Sequence, residues 1–153
     1  MYAQRQNLSI NVTAIGHVET SVPDGDIAKA RRKLVSDIVI APELEPALLG
    51  IEAYSHLIVL FWMDRAAGMR DLKTHPRGDA SLPVQGVFAL RGSNHPNPIG
   101  LAVVELVGRV ANRLTVKRLD AFNHTPVIDL KPYDDYDSYS EIRVAEWFAA
   151  RRR

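Results

Sequence analysis

A stiff polar bend interrupts an otherwise apolar stretch of the sequence, residues 87–106. Pro96 and Pro98 fix their own φ angles and keep the residue before each of them out of the helical region. The stretch therefore cannot be one helix, and we expect a strand on each side of the bend, starting at residues 87 and 99. Gly92 and Gly100 bracket the bend and permit close backbone approach or a positive φ.

The function of this bend has two interpretations at this level. Its polar side chains are Arg91, Asn94, His95 and Asn97. They are either solvated groups on a rigid hairpin connection, or groups that a fixed backbone directs at a ligand. The residues alone do not decide between the two.

Apolar runs elsewhere predict that strands dominate the chain. Alternation or continuous apolar character marks residues 8–18, 34–40, 56–63, 101–110, 114–119 and 127–130. The run 56–63 is apolar at almost every position, so we expect both of its faces to be covered. Because no long helices alternate with these strands, the pattern favours a mainly β barrel or sandwich over a doubly wound sheet.

The connections carry turn and cap residues. We expect a turn at 21–26, a short helical turn at 42–49 ended by Gly50, and a hairpin at 111–113 in which Asn112 tolerates a positive φ. The polar loop 68–83 is either a mobile lid or binding loop, or plain disorder. An acidic turn at 134–137 precedes a terminal helix at about 140–151. We expect one domain over 1–153, with its core at about 8–137.

Composition excludes several classes of function. The chain has no cysteine, so disulfides, thiolate chemistry and cysteine-ligated zinc are excluded. Its five histidines are scattered, so we expect no metal site. Nucleotide-binding GxGxxG, phosphate-loop and GxSxG motifs are absent. No apolar run is long enough for a membrane span and no signal peptide is evident, so we expect a cytoplasmic protein.

Net charge gives no global field, because the formal charge at pH 7 is only +1. Nucleic-acid binding would therefore need a local basic patch. The sequence has one dense group of cations at Lys29, Arg31, Arg32 and Lys33. This group is either a solvated face or an edge that faces phosphate.

Four blocks in a fixed order resemble a known family. They are 54–57 with 64–65 (YSHL and DR), 75–79 (HPRGD), 86–101 (GVFALRGSNHPNPIGL) and 119–133, which contains LD and TPVIDLKPY. On these blocks, which lie within about 10–137, the chain is similar to the TsaA-like (YaeB/TrmO) family.

The resemblance implies a fold, a reaction and partners. The family fold is a single-sheet β-barrel, usually a homodimer. Its members are S-adenosylmethionine-dependent tRNA methyltransferases, and the characterised reaction methylates N6 of threonylcarbamoyladenosine at position 37, beside the anticodon. Matching motif positions implies that the cofactor contacts are Asp64, Arg65, Arg91, Leu101, Ala121, Phe122, Asn123 and His124.

The chemistry of methyl transfer adds further candidates. A sulfonium pocket favours aromatic faces or carboxylates, and Phe61, Trp62, Phe122, Tyr133 and Asp129 are suitable types. Proton acceptors of suitable type are Asp120, Asp129, His95 and Tyr133. As the catalytic residues we predict Asp129, Lys131 and Tyr133, although an ordinary ion pair and a core ring explain them equally well. Phosphate contacts are expected from Arg31, Arg32, Lys33, Arg70, Lys73 and Arg77.

The chain also departs from the family pattern. His95 replaces an arginine, Asn123-His124 replaces Asp-Gly, and the early Pro-Arg-Gln motif has no clear match between Pro23 and Arg32. Two other functions therefore stay open: a methyltransferase that acts on a small molecule, and a non-catalytic binding domain on the same barrel.

Overall fold

A closed six-stranded antiparallel barrel forms the body of the protein, which confirms the predicted β-barrel fold. The computed structural model describes residues 9–66, 68 and 70–151. The strands are β1 (Gly16–Glu19), β2 (Val35–Ile40), β3 (His56–Trp62), β4 (Lys73–Thr74), β5 (Gln85–Gly86), β6 (Ile99–Val110), β7 (Arg113–Lys117) and β8 (Pro126–Pro132). The barrel order is β1-β2-β7-β6-β3-β8, and β4 pairs with β5 in a separate small sheet.

Helical structure is short throughout. The α-helices are α1 (Asp24–Ala30) and α2 (Glu146–Ala149), and 3-10 turns occur at Pro42–Leu48, Ile51–Ala53, Pro76–Gly78, Val87–Ala89 and Asp135–Asp137. The predicted helical turn after Pro42 is confirmed, and Gly50 adopts a left-handed conformation with φ of 86°.

Alternate residues of the strands fill the barrel interior. The fully enclosed core includes Val18, Ile38, Leu57, Val59, Val104, Leu114, Val116 and Val127. On β3 only one face is buried, so the expectation that both faces of this run are covered is wrong. The outward side chains of β3, such as Leu60, are half-buried because neighbouring apolar side chains of β6 flank them.

The long β6 strand lies against two partners. Its first half pairs with β3 and its second half pairs with β7, so it crosses the length of the barrel. Gly100 lies opposite Phe61, and a Cβ added there would meet that ring at 2.1 Å. The expected close approach therefore holds at Gly100, whereas at Gly92 no atom lies within 4 Å of an added Cβ.

Several predicted boundaries are wrong near the N-terminus. Leu8 lies outside the described residues, and the first strand begins only at Gly16. β2 ends at Ile40 because Pro42, two residues later, starts a 3-10 turn. The regular pairing on that side therefore stops at Gly16, although the Ala41 N–H still donates to the Ile15 carbonyl at 2.8 Å. The predicted turn at 21–26 runs instead into α1, whose first turn holds two aspartates that complement the helix dipole.

Other corrections concern the loops. The segment at Val87 is a 3-10 turn and not a strand, closed by the Leu90 N–H to the Val87 carbonyl. The bend after it is therefore no hairpin connection. The loop 68–83 contains β4 and a further 3-10 turn. In the β6–β7 hairpin, Ala111 has the positive φ of 52°, whereas the Asn112 side chain donates to the Ile40 carbonyl.

The predicted terminal helix at 140–151 shrinks to the four residues of α2. Ile142, which the helical pattern assigns to an apolar stripe, is 58% exposed and belongs to an irregular segment. A short helix needs packing along its length to persist, and this part of the chain lacks it. Arg152 and Arg153, also expected at its end, lie outside the described residues.

Candidate active site at the barrel rim

Two adjoining pockets open at one end of the barrel. The strand register places the ends of β1 and β3 and the starts of β6 and β8 at this rim. The connection 90–98 and the turn 120–125 contribute lining residues to both pockets. The polar bend of the sequence therefore faces a cavity, which favours the second of its two interpretations.

The smaller pocket brings together most of the predicted cofactor contacts. It has a volume of about 460 Å³, within the range of small-molecule sites. Six of the predicted residues line it: Asp64, Arg65, Arg91, Leu101, Ala121 and Phe122. Phe61, one of the candidate aromatic faces, also lines it, while Trp62 does not.

Asn123 and His124, the other two, line a neighbouring groove with Glu19 and Asp37. Asn123 still shapes the smaller pocket, because its carbonyl accepts a hydrogen bond from Arg65 at 2.9 Å. His124 has a φ of 67°, a left-handed conformation that favours glycine. This conformation explains physically why a glycine suits this place in the family motif.

The two arginines of the smaller pocket differ in how far they are engaged. Arg65 pairs with Asp24 of α1 and lies over the Phe122 ring, 5.3 Å from its centroid. The Arg91 guanidinium makes one hydrogen bond within the described residues, to the Leu101 carbonyl at 3.2 Å. Arg91 therefore keeps donors available for an anionic group.

The larger pocket is strongly basic. Its volume is about 1050 Å³, and four arginines line it: Arg31, Arg77, Arg91 and Arg118. Among the described residues of its lining, the only carboxylate is Asp120, which pairs with Arg31 at 2.6 Å. The near-neutral total charge of the chain thus conceals a local concentration of cations.

Asp120 and His95 lie where the two pockets meet. Both line both pockets, together with Leu90, Arg91, Gly92, Ser93, Leu101 and Ala102. Arg31 contacts Oδ2 of Asp120, and within the described residues Oδ1 has no hydrogen bond. His95 Nε2 donates to the Leu90 carbonyl at 3.1 Å, which leaves Nδ1 as its basic nitrogen. These two candidate proton acceptors are thus close to both the smaller and the larger pocket.

The predicted catalytic residues of β8 lie elsewhere. Asp129 pairs with Lys131 at 2.8 Å on the outer face, and the Tyr133 ring packs edge-on to His56 at 6.4 Å. None of Asp129, Lys131 and Tyr133 lines either pocket. Asp129 and Leu101 flank Leu60 on neighbouring strands, so their backbones are about 10 Å apart. Their catalytic role stays a prediction.

Helix α1 connects the basic cluster of the sequence to the site. Asp24 at its start contacts Arg65, and Arg31 just after its end contacts Asp120. Of the predicted phosphate contacts, Arg31 and Arg77 line the larger pocket, whereas Arg32, Lys33, Arg70 and Lys73 do not.

Sequence reasoning missed several lining residues. Arg118 lines the larger pocket from the end of β7, and its φ of 72° is rare for a residue other than glycine. Val144, Ala145, Trp147 and Phe148 line it from the C-terminal segment. The spacing of residues along the sequence does not predict these contacts, because residues 31, 77, 118 and 147 come together only in the folded chain.

Residues 9–66, 68 and 70–151 contain neither a metal-binding cluster nor a membrane-spanning helix. In these residues no group of three or more His, Asp or Glu side chains is placed to hold a metal ion. The helices among them include none with the length and apolar character needed to cross a membrane.

Comparison with known proteins identifies relatives. The model of the tRNA-methyltransferase O N-terminal domain matches residues 20–138. A probable S-adenosyl-L-methionine-binding protein of Archaeoglobus fulgidus is 46% identical over 113 residues, 73% of this chain and 30% of that protein. One of Methanothermobacter thermautotrophicus, with the same description, is 37% identical over 136 residues, 86% of this chain and 96% of that protein.

Two further matches carry more specific names. The tRNA (adenine(37)-N6)-methyltransferase of Escherichia coli K12 is 41% identical over 95 residues, 57% of this chain and 39% of that enzyme. A crystal structure of TrmO superimposes with a TM-score of 0.73 at 31% identity, covering 89% of this chain and 63% of that one. The chain thus spans less than half of some relatives and almost all of another.

Proposed function

Because the chain belongs to the tRNA-methyltransferase O N-terminal domain family, we propose that it is an S-adenosylmethionine-dependent methyltransferase whose acceptor is N6 of threonylcarbamoyladenosine at tRNA position 37. One observation carries the choice of RNA as acceptor. The pocket beside the predicted cofactor site is lined by four arginines and a single carboxylate, Asp120, which is already paired. Such a lining favours a polyanion.

The residues of the smaller pocket fit the cofactor. Arg91 has donors free for the carboxylate of the methionine moiety, and Phe122 and Leu101 offer apolar surface for the adenine. Asp64 and Asp120 are carboxylates that complement an ammonium or sulfonium group. When bound here, S-adenosylmethionine would supply an electrophilic methyl group.

The chain itself must position the acceptor and remove its proton. N6 carries one hydrogen that has to leave, and Asp120 is the carboxylate placed between the two pockets. Arg31 fixes Oδ2 and leaves Oδ1 available to take the proton. Arg77 and Arg118 neutralise the phosphates of the loop around the base. We therefore assign Asp120 as proton acceptor, ahead of the sequence candidates Asp129 and Tyr133.

The small-molecule alternative predicts something different. If the acceptor is a small molecule, S-adenosylmethionine binds but tRNA neither competes with nor enhances that binding, and no salt-dependent tRNA affinity exists. The concentration of arginines at one pocket favours RNA over this alternative. A non-catalytic domain predicts no methyl transfer to any acceptor.

A second copy of this chain is the partner that we propose for the outer face of β6. Ile99, Leu101 and Val103 are 49%, 49% and 41% exposed and lie in a row beside the half-buried Leu60. Because Ile99 and Leu101 also line the smaller pocket, and Leu101 and Val103 the larger one, the second copy would close the open side of both pockets. This row of apolar side chains supports homodimerisation. Sedimentation should show a dimer that Val103→Arg converts to a monomer; a wild-type monomer at all concentrations would refute the proposal. Action on tRNA also agrees with a cytoplasmic location.

The decisive experiment has two stages. Calorimetry first measures S-adenosylmethionine binding to the wild-type chain and to Arg91→Ala. Incorporation of labelled methyl into tRNA that carries the unmethylated nucleoside follows, with tRNA lacking the threonylcarbamoyl group as control. We expect binding that Arg91→Ala weakens, and incorporation only into the first tRNA. Binding without incorporation at high enzyme concentration would refute the tRNA reaction.

A further inference from the structure

We propose that the C-terminal segment 144–148 is a wall of the acceptor pocket, and that the Trp147 indole contacts the acceptor base of the RNA loop. This inference rests on the proposed function and adds a substrate-binding residue to it. The family domain ends at residue 138, so the segment lies beyond the part that the family model matches. Even so, Val144, Ala145, Trp147 and Phe148 line the same basic pocket as Arg77 and Arg118.

An ion pair holds this segment in place. Arg151, two residues after α2, pairs with Asp79 in the loop 75–82. Hydrogen bonds from Ser81 and the Arg151 guanidinium lower the pKa of Asp79 to about 2. The same loop contributes His75, Pro76, Arg77 and Gly78 to the pocket. The tether therefore joins two parts of one pocket wall.

Trp147 has the properties of a base-binding residue. Its Nε1 is shielded from solvent and has no hydrogen-bond partner in the described part of the chain. A shielded donor without an acceptor is unfavourable, so a turn of the indole that brings Nε1 to an acceptor on a bound base would be favoured. The Phe148 ring supports the indole edge-on, with the ring centroids 5.7 Å apart.

The surrounding charges indicate which ligand the indole would meet. Arg77 and Arg118 both line this pocket, and both hold a positive φ, at 57° and 72°. Such backbone strain is maintained where the surrounding structure requires it and clusters at ligand sites. Arginines around an aromatic face form the arrangement that binds an unstacked base with its phosphates. This lining favours an unstacked base within an RNA loop, and the reaction proposed above makes that base the acceptor adenosine.

The test uses the full chain and two readouts, one of which needs no cofactor. The chain has two tryptophans, so Trp62→Phe leaves Trp147 as the only indole. Trp62 lines neither pocket. We expect an anticodon stem-loop RNA that contains the threonylcarbamoyl nucleoside to quench Trp147 fluorescence saturably. The affinity of labelled RNA is then measured by anisotropy for Trp147→Ala and Trp147→Phe.

The expected results separate a substrate contact from a structural role. Trp147→Ala should weaken RNA binding and raise the KM for tRNA by about 10- to 100-fold, while the Kd for S-adenosylmethionine stays unchanged. Trp147→Phe keeps a ring and should show a smaller loss. Tyr139→Ala is the matched control, because this aromatic side chain, five residues before the segment 144–148, is 75% exposed and lines neither pocket.

Each outcome bears on a different proposal. If Trp147→Ala methylates tRNA like the wild type and RNA does not quench Trp147, the inference is wrong while the proposed reaction stands. If RNA quenches Trp147 but the wild type transfers no methyl group, the reaction is wrong while the inference stands. If the free nucleoside quenches fully and RNA does not, the acceptor is a small molecule and the RNA contact is refuted.

Discussion

Asp120 and Asp129 make a close comparison, because their local surroundings are nearly the same. Each is about two-fifths exposed and pairs with one cation, Asp120 with Arg31 at 2.6 Å and Asp129 with Lys131 at 2.8 Å. They differ in the second carboxylate oxygen and in what lies beyond the ion pair. Oδ1 of Asp129 accepts a hydrogen bond from the Leu130 N–H at 2.9 Å, whereas Oδ1 of Asp120 has no hydrogen bond within the described residues. Asp120 faces the junction of two pockets, and Asp129 lies on the outer wall of the barrel. The position on the barrel, and not the ion pair, distinguishes a catalytic candidate from a surface pair.

The largest effect should come from exchanging these carboxylates for amides. Asp120→Asn removes the proposed proton acceptor, so kcat should fall by about 10²- to 10⁴-fold. Asp129→Asn is the matched control and should leave kcat within about twofold of the wild type. The measurement is single-turnover methyl transfer to tRNA. A large loss in Asp129→Asn alone would reverse the comparison and restore the catalytic role first predicted for β8.

The second prediction compares a cation of the cofactor pocket, Arg91, with a cation of the outer barrel wall, Lys131. Arg91→Ala removes a guanidinium with free donors from the cofactor pocket, so the Kd for S-adenosylmethionine should rise by about 10- to 100-fold. Lys131→Ala removes the partner of Asp129 and should leave that Kd unchanged. Titration calorimetry measures both. Equal losses in the two variants would show that the outer face contributes to the cofactor site.

Packing beneath the rim can be compared with packing at the other end of β6. Gly100→Ala forces a methyl group against the Phe61 ring and should lower the free energy of unfolding by about 1–3 kcal/mol. Gly108→Ala, on the same strand, meets no atom within 4 Å and should have little effect. Urea unfolding distinguishes them. Equal stabilities would mean that Phe61 moves aside at no cost.

Two left-handed residues allow a smaller comparison between the rim and the opposite end of the barrel. His124 and Ala111 have φ values of 67° and 52°. Glycine adopts a left-handed conformation without strain, but it also gains more conformational freedom in the unfolded state. The first effect is the larger, so His124→Gly and Ala111→Gly should each raise the free energy of unfolding by about 0.5–1 kcal/mol. Thermal unfolding measures this. Destabilisation by His124→Gly alone would show that the imidazole itself holds the rim turn.

The smallest effect concerns the tether of the C-terminal segment. The pKa of Asp79 is about 2 in the folded protein and ordinarily 3.8, so the tether is fully present above about pH 4 and is lost as the pH falls towards 2. In the Trp62→Phe background, Trp147 emission should change over this range. Asp79→Asn should remove that change. An identical titration in both variants would assign it to the barrel instead.

Most of the strands and most of the cofactor pocket could be predicted from the sequence. Apolar runs located β2, β3, β6, β7 and β8, because a barrel strand must bury alternate residues. The motif positions named six residues that do meet in one pocket, because that part of the rim is built from the matched blocks. Asn123 and His124 lie beside it, and their contribution stays a prediction.

The larger pocket could not be predicted from the sequence in the same way. Its walls come from α1, the loop 75–78, the end of β7 and the segment 144–148, which are far apart in the chain. The helix at 140–151 was wrong because periodicity alone does not show whether a neighbour covers the apolar stripe. Nor did the sequence separate Asp120 from Asp129, since both stand beside apolar runs with a basic partner.

The narrow seam that closes the barrel has a consequence for how the molecule is assembled. β1 and β8 pair at only two positions, Gly16 with Val127 and His17 with Pro126. The rim turn extends this seam, because the His124 N–H donates to the Val18 carbonyl at 2.8 Å and the Asn123 side chain accepts from Thr20. Contacts this distant in sequence form slowly. On the ribosome, the cofactor pocket is therefore completed only after β8 has emerged and joined the first strand.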